Sequence, residues 1–208
     1  MLTAAGKIYG NFFEAVEVHA EKGIYANYSL NAMLYTEGKV YIHGVKGTIV
    51  GGITQAAKGV EVYSIGNRVG IETIVRTGVS ESLAKANEDL KQKLMEIKEE
   101  LTIFTNAYKD LQRKYSVEVR NTMELYLKIE SAVSMKQEEF MELIKERNGK
   151  AEELNKLRNA TVHIRGMIYE GVRVEICGNG WVATEVRNVT VRNVGQRIAV
   201  YQNKGSRR

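Results

Sequence analysis

The stretch LKQKLMEIKEELTIFTNAYKDLQRKY, Leu90 to Tyr115, sets its apolar residues at Leu90, Leu94, Ile97, Leu101, Phe104, Tyr108, Leu111 and Tyr115. The intervals alternate between four and three. A period of 3.5 is the a/d seam by which one helix winds against another. A second, looser seam follows at Tyr126, Ile129, Val133, Phe140, Leu143, Ile144, Ala151, Leu154 and Leu157, with Lys136, Arg147 and Lys150 at or beside its stripe. Ser80 with Glu81 behind it suits a helix start. Between the seams, Ser116, Val117, Val119, Asn121 and Thr122 are poor helix formers and predict a break. Asn121 and Glu124 have capping-box spacing, which places the second helix start there. Asn148-Gly149 in the second arm costs about 1 kcal/mol relative to Ala and is a candidate kink. The arms are near-equal and the chain resumes β sequence at Thr161, so an antiparallel coiled-coil hairpin is expected over 80–159.

Both flanks read as β. Over 1–79, Val16 and Val18, Val40 and Ile42, and Val60 and Val62 alternate with outward residues, and Gly23, Gly38 and Gly59 precede such segments. Gly38-Lys-Val-Tyr-Ile42 and Gly59-Val-Glu-Val62 look like one corner-then-strand unit, recurring at intervals of fifteen and twenty-one residues. Intervals of that size fit coils of a β-solenoid. A sandwich would show similar short strands, but single-glycine corners and scarce two-residue hairpin turns favour the solenoid. Over 160–203 the pattern returns, with Gly171-Val-Arg-Val174 echoing Gly59-Val-Glu-Val62. One β body interrupted by a helical insertion is therefore expected. Gly178-Asn179-Gly180 predicts a tight hairpin turn, and 204–208 a disordered basic tail.

Composition excludes more than it selects. The chain has 208 residues, 44% of them hydrophobic, a net charge of +5, nineteen glycines, no proline and one cysteine. The apolar fraction argues against disorder. Turns made without proline must use Gly and Asn, as coiled β structure with positive-φ corners requires. No run of eighteen apolar residues or secretory signal is present, and the single Cys177 fits a reducing compartment. A cytoplasmic location is expected.

Over nearly the whole chain the order of motifs resembles the flagellar assembly protein A family. The resemblance rests on Gly47-Thr-Ile-Val-Gly51-Gly52, Ala56-Ala-Lys-Gly-Val-Glu-Val62, Ile65-Gly66-Asn67 and Thr73-Ile-Val75, followed by the helical stretch. Ile164-Arg-Gly-Met-Ile-Tyr-Glu-Gly-Val-Arg-Val174 then looks like the family's strand after its hairpin. The resemblance implies a right-handed parallel β-helix carrying a projecting antiparallel coiled coil, and a role in flagellar assembly or placement in bacteria. Members usually have a further N-terminal domain and more solenoid sequence, and many have Pro where this chain has Glu170. The family offers no catalytic residues to carry over.

Nor do the residues supply any. His19, His43 and His163 lie in predicted strands without partners at metal-ligand spacing, so neither metal nor cofactor is expected. Cys177 reads as a structural thiol beside a turn. Gly47, Gly51 and Gly52 are not followed by a Gly-Lys-Ser/Thr motif and read as corners. The paired carboxylates Glu99-Glu100, Glu138-Glu139 and Glu152-Glu153 read as a solvated helix face. Two basic features remain as candidate interaction sites. One is the hairpin tip, with Arg113, Lys114 and Arg120; the other is a C-terminal stripe with Arg187, Arg192 and Arg197. The leading expectation is a non-enzymatic scaffold or adaptor with protein partners, flagellar by resemblance, that self-associates through open solenoid ends. The competing reading is an anion-binding module in which the arginine stripe meets a membrane surface or nucleic acid.

Overall fold

In a computed structural model, residues 1–203 are described; the basic tail expected at 204–208 lies outside them. The chain forms two compact units: Met1–Ser80 together with the chain from Leu154 onward, and Glu81–Glu153.

The first unit is a parallel β-solenoid of about four turns. Its first coil is β1 (Leu2–Ala4), β2 (Lys7–Tyr9) and β3 (Phe12–Glu14). Next come β4 (Glu17–Ala20), β5 (Gly23–Ala26) and the long β6 (Tyr28–Thr36), which crosses a corner. The chain continues through β7 (Lys39–Ile42), β8 (Thr48–Ala56), β9 (Gly59–Val62), β10 (Ser64–Ile65) and β11 (Thr73–Thr77). Helices α1 (Glu81–Lys114), α2 (Val117–Thr122) and α3 (Glu124–Leu157) intervene before β12 (Thr161–Ile168) and β13 (Arg173–Ile176).

These strands stack into three parallel faces. On the first, Val18, Leu34, Thr54, Val75 and Val174 stand in line. On the second, Ile8, Ile24, Val40, Val60 and Val162 do. On the third, Phe13, Ser29, Ile49, Ile65 and Ile168 do. Ile24, Val40, Ile42, Val62, Ile65, Ile164 and Ile168 are completely buried. Strand alternation sends every second residue inward, and each such side chain contributes about 1.5–3 kcal/mol on burial.

The register gives repeat intervals of 16, 16 and 20 residues along the second face, in place of fifteen and twenty-one. Gly38 does not align with Gly23 and Gly59; Lys39 does. The echo of Gly59–Val62 is likewise at another phase. Val60 and Val62 pair with Val162 and Ile164, whereas Val174 pairs with Val75 on the first face. Short alternation is the same on every face, so its wording cannot fix its phase.

The corner from third to first face requires left-handed backbone: Ala15, Asn31 and Gly51 have φ of +47°, +49° and +70°. Gly and Asn suit that region, whereas Ala15 is strained there by about 1–2 kcal/mol. At Gly52, φ +74°, a Cβ would stand 2.2 Å from Ala32 O in the adjacent coil.

From Asn179 onward the alternation continues but the pairing reverses. β14 (Asn179–Val182) runs antiparallel to β13. β15 (Val186–Val194) is antiparallel to both β12 and β16 (Arg197–Gln202). This region therefore covers the far end of the coil instead of adding turns to it. The hairpin turn is Cys177-Gly178, not Gly178-Asn179-Gly180, because Ile176 pairs with Asn179. Both turn residues have positive φ, +53° and +79°, as a two-residue primed turn requires.

The second unit differs from the two-helix expectation. Val117–Thr122, the expected break, is itself helical, and Asn121 lies inside it instead of capping α3. Ser116 and Met123 are extended and separate α2 from α1 and from α3. α3 runs unbroken through Asn148-Gly149. Contacts between α1 and α3 are specific. Tyr108 and Tyr126 stack at 5.1 Å, and Lys136 Nζ lies 2.9 Å from Glu100 Oε2.

Candidate functional site

Three surfaces carry concentrated chemistry. The first is the connection between α1 and α3. Arg113 and Lys114 close α1 and Arg120 stands in α2. Arg113 is 80% exposed, with Asp110 Oδ1 at 4.0 Å. Arg120 holds its guanidinium 5.6 Å from the Tyr126 ring centre, a cation–π contact. Beneath it, Tyr126 donates to Tyr108 Oη and Tyr108 donates to Glu130 Oε1, both at 2.9 Å. The hydrogen bonds to Tyr126 and Glu130 hold the Tyr108 phenol well above its usual range. Glu100, then Glu139, raises the Lys136 ammonium likewise.

The second surface is the outer side of the second face. Tyr9, Tyr25 and Tyr41 stack in a column with centroids 4.7 and 4.8 Å apart. That spacing is the distance between parallel strands, so the solenoid itself sets the stack. Lys7 lies over Tyr25 and Lys39 over Tyr41, and Lys39 pairs with Glu61 at 3.3 Å. The sequence reading passed over this column. Its signal was present as tyrosine at an interval of sixteen.

The third surface is a groove of about 590 Å³ along the third face, lined by Lys46, Arg165 and Arg187 together with Tyr28, Tyr63 and Tyr169. Lys46 comes from the corner before β8, Arg165 from the bulge of β12 and Arg187 from the start of β15. Arg165 Nη2 donates to His43 Nδ1 at 3.1 Å. His43 stands just beyond β7, not within a strand, and stacks at 5.3 Å on Tyr41. One glycine makes room for a ring. A Cβ at Gly166 would meet the Tyr63 ring at 2.6 Å, whereas one at Gly66 would first meet Val172 Cγ2 at 2.5 Å.

The predicted arginine stripe is divided among separate places. Arg187 lines the groove, Arg192 packs 5.8 Å from the Tyr201 ring centre, and Arg197 opens β16 opposite Val194. All three are exposed. Arg187 and Arg192 are five positions apart on one strand, about 16 Å at 3.3 Å per residue. Coil stacking is what brings distant side chains together, as it sets Arg165 beside His43 across 122 positions.

Cys177 lies in the β13–β14 turn, with Sγ 4.0 Å from Leu157 O. Burial pushes its thiol pKa up, partly offset by Arg158. Among the described residues, no helix is long and apolar enough to cross a membrane.

A family model described as the flagellar assembly protein A beta-solenoid domain matches residues 1–198. Among curated proteins none matches the chain, and among solved structures none does. With its order of parallel coils, helical insertion and returning strands, the chain belongs to the flagellar assembly protein A (FapA) β-solenoid family.

Proposed function

We propose that this protein is a non-enzymatic cytoplasmic scaffold in flagellar assembly or placement. In this reading the body is a right-handed β-helix, and the helices form an antiparallel coiled-coil hairpin that engages a protein partner. The carrying observation is where the helices enter. Earlier coils turn from first to second face in two residues, Glu21-Lys22, Glu37-Gly38 and Ala57-Lys58. At the next passage the same corner holds residues 78–160, yet Val60 still pairs with Val162 beyond it. The coil does not need this insertion to close. Tyr108 with Tyr126 and Glu100 with Lys136 support antiparallel pairing, since numbers fall along one helix as they rise along the other. The right-handed sense follows the strong preference of parallel strand crossovers. Family membership supplies the flagellar context.

The scaffold also self-associates in this reading. Among the described residues β1, β2 and β3 pair on one side only, and Leu2 and Phe12 are exposed there. Open strand edges of this kind accept another strand. A monomer by light scattering at high protein concentration would refute that part. For the adaptor role, residues 81–153 are replaced by a short Gly-Ser linker. Cells carrying only this variant are scored for flagella, and the variant for flagellar proteins that co-purify. The body is expected to keep its β circular dichroism while flagella and partners are lost. Normal flagella and unchanged partners would refute the role assigned to the helices.

A further inference from the structure

On the first and second faces, two outward cations have carboxylate partners: Arg76 pairs with Glu175 at 2.8 Å, and Lys39 with Glu61 at 3.3 Å. The third-face groove is different. Lys46, Arg165 and Arg187 converge on it from three separate segments, and no carboxylate lines it. None of the three is in an ion pair among the described residues, and Arg165 has a hydrogen bond to His43 Nδ1. Three cations facing one concavity repel one another, and the focused positive potential attracts a polyanion.

The rest of the lining adds direction and shape. Asn67 Oδ1 accepts the N–H groups of Gly70 and Ile71, at 3.0 and 3.2 Å, so its amide nitrogen remains as a donor. Gly166 leaves room for the Tyr63 ring, and Tyr63 and Tyr169 line the groove together with the cations. At about 590 Å³ the groove has the size of a small-molecule site. A bare inorganic anion would use the cations and leave the rings idle.

We propose that this groove binds an organic phosphate of mononucleotide size, its phosphoryl group on Lys46, Arg165 and Arg187 and its planar ring against the tyrosines. Arginine forks match phosphate oxygens, and base–aromatic stacking needs no particular base. The site is separate from the partner-binding role given to the helices.

The test is calorimetric titration of the whole chain with AMP, GMP, adenosine and pyrophosphate, repeated with Arg187→Ala and Lys46→Ala. Both substituted side chains are exposed, and far-UV circular dichroism verifies the fold. The two nucleotides are expected to bind at least tenfold more tightly than adenosine, and each substitution to weaken them at least tenfold. Added salt is expected to weaken binding further. Failure of both nucleotides to bind, or binding equal to that of adenosine, would overturn the proposal. So would affinity unchanged by either substitution, or binding of pyrophosphate alone. Tighter binding of a single-stranded oligonucleotide than of either mononucleotide would overturn it in favour of a nucleic-acid surface.

Discussion

Replacing Gly52 by Ala tests how closely the coils stack. Gly52 has φ +74°, and an added Cβ would stand 2.2 Å from Ala32 O and 3.0 Å from Ala32 N and C. Ala32 is its ladder partner in the adjacent coil, so the obstacle is backbone and cannot rotate away. The left-handed conformation costs Ala about 1–2 kcal/mol. Parting the two strands enough to admit a methyl sacrifices one or two backbone hydrogen bonds, about 0.5–1.5 kcal/mol each. Reduced freedom of the unfolded chain returns about 0.4–1 kcal/mol. The sum is about 0.5–4.6 kcal/mol of destabilisation. Gly70→Ala is the control: φ is +79°, but nothing lies within 4 Å of the added atom. It suffers the conformational cost alone, about 0–1.6 kcal/mol after the same return. Urea unfolding followed by fluorescence of Trp181, which packs against the core, measures both. The two midpoints should separate clearly at equal m. A Gly52→Ala midpoint no lower than that of Gly70→Ala would refute the close stacking at this corner.

Gly149 lies in α3 with open space around its missing Cβ, so Gly149→Ala should stabilise the helical unit by about 1 kcal/mol in thermal circular dichroism. Lys136→Glu sets a third carboxylate against Glu100 and Glu139 and should lower the helical midpoint, and adding Glu100→Lys should restore it. Because the folded pKa of Lys136 is raised, the stabilisation it supplies is present at neutral pH and is lost only as pH rises above the ordinary lysine range. The raised thiol pKa of Cys177 predicts slow alkylation by iodoacetamide at neutral pH, with a pH–rate midpoint above that of the unfolded chain. Equal rates in the two states would contradict that burial.

Much of the fold was legible because inward alternation is a physical requirement of a strand with one buried face. Val40 and Ile42, Val60 and Val62, and Val162 and Ile164 were read as strand residues and are buried in one stack. Their phase was not legible, since Gly171–Val174 carries the same wording on another face. The α2 segment defeated propensity: six residues rich in β-branched side chains are helical all the same. Cys177 was misplaced by one step because a positive-φ cysteine is unusual, while its neighbour Gly178 was the obvious turn residue. Of the candidate site residues, Arg113, Lys114 and Arg120 share one region because they are close in sequence. The groove escaped notice for the opposite reason. Lys46, Arg165 and Arg187 meet only through coil stacking and the antiparallel return of β15, and neither leaves a local signal.

The central claim is that the helices, not the faces of the solenoid, hold the flagellar partner. Site-specific photo-cross-linking in flagellated cells tests it most directly, with the cross-linking residue placed in turn at Arg113, Tyr25 and Arg192. An adduct with a flagellar component is expected from Arg113 and none from the other two. Adducts from Tyr25 or Arg192 with none from Arg113 would contradict it and place the contact on the solenoid.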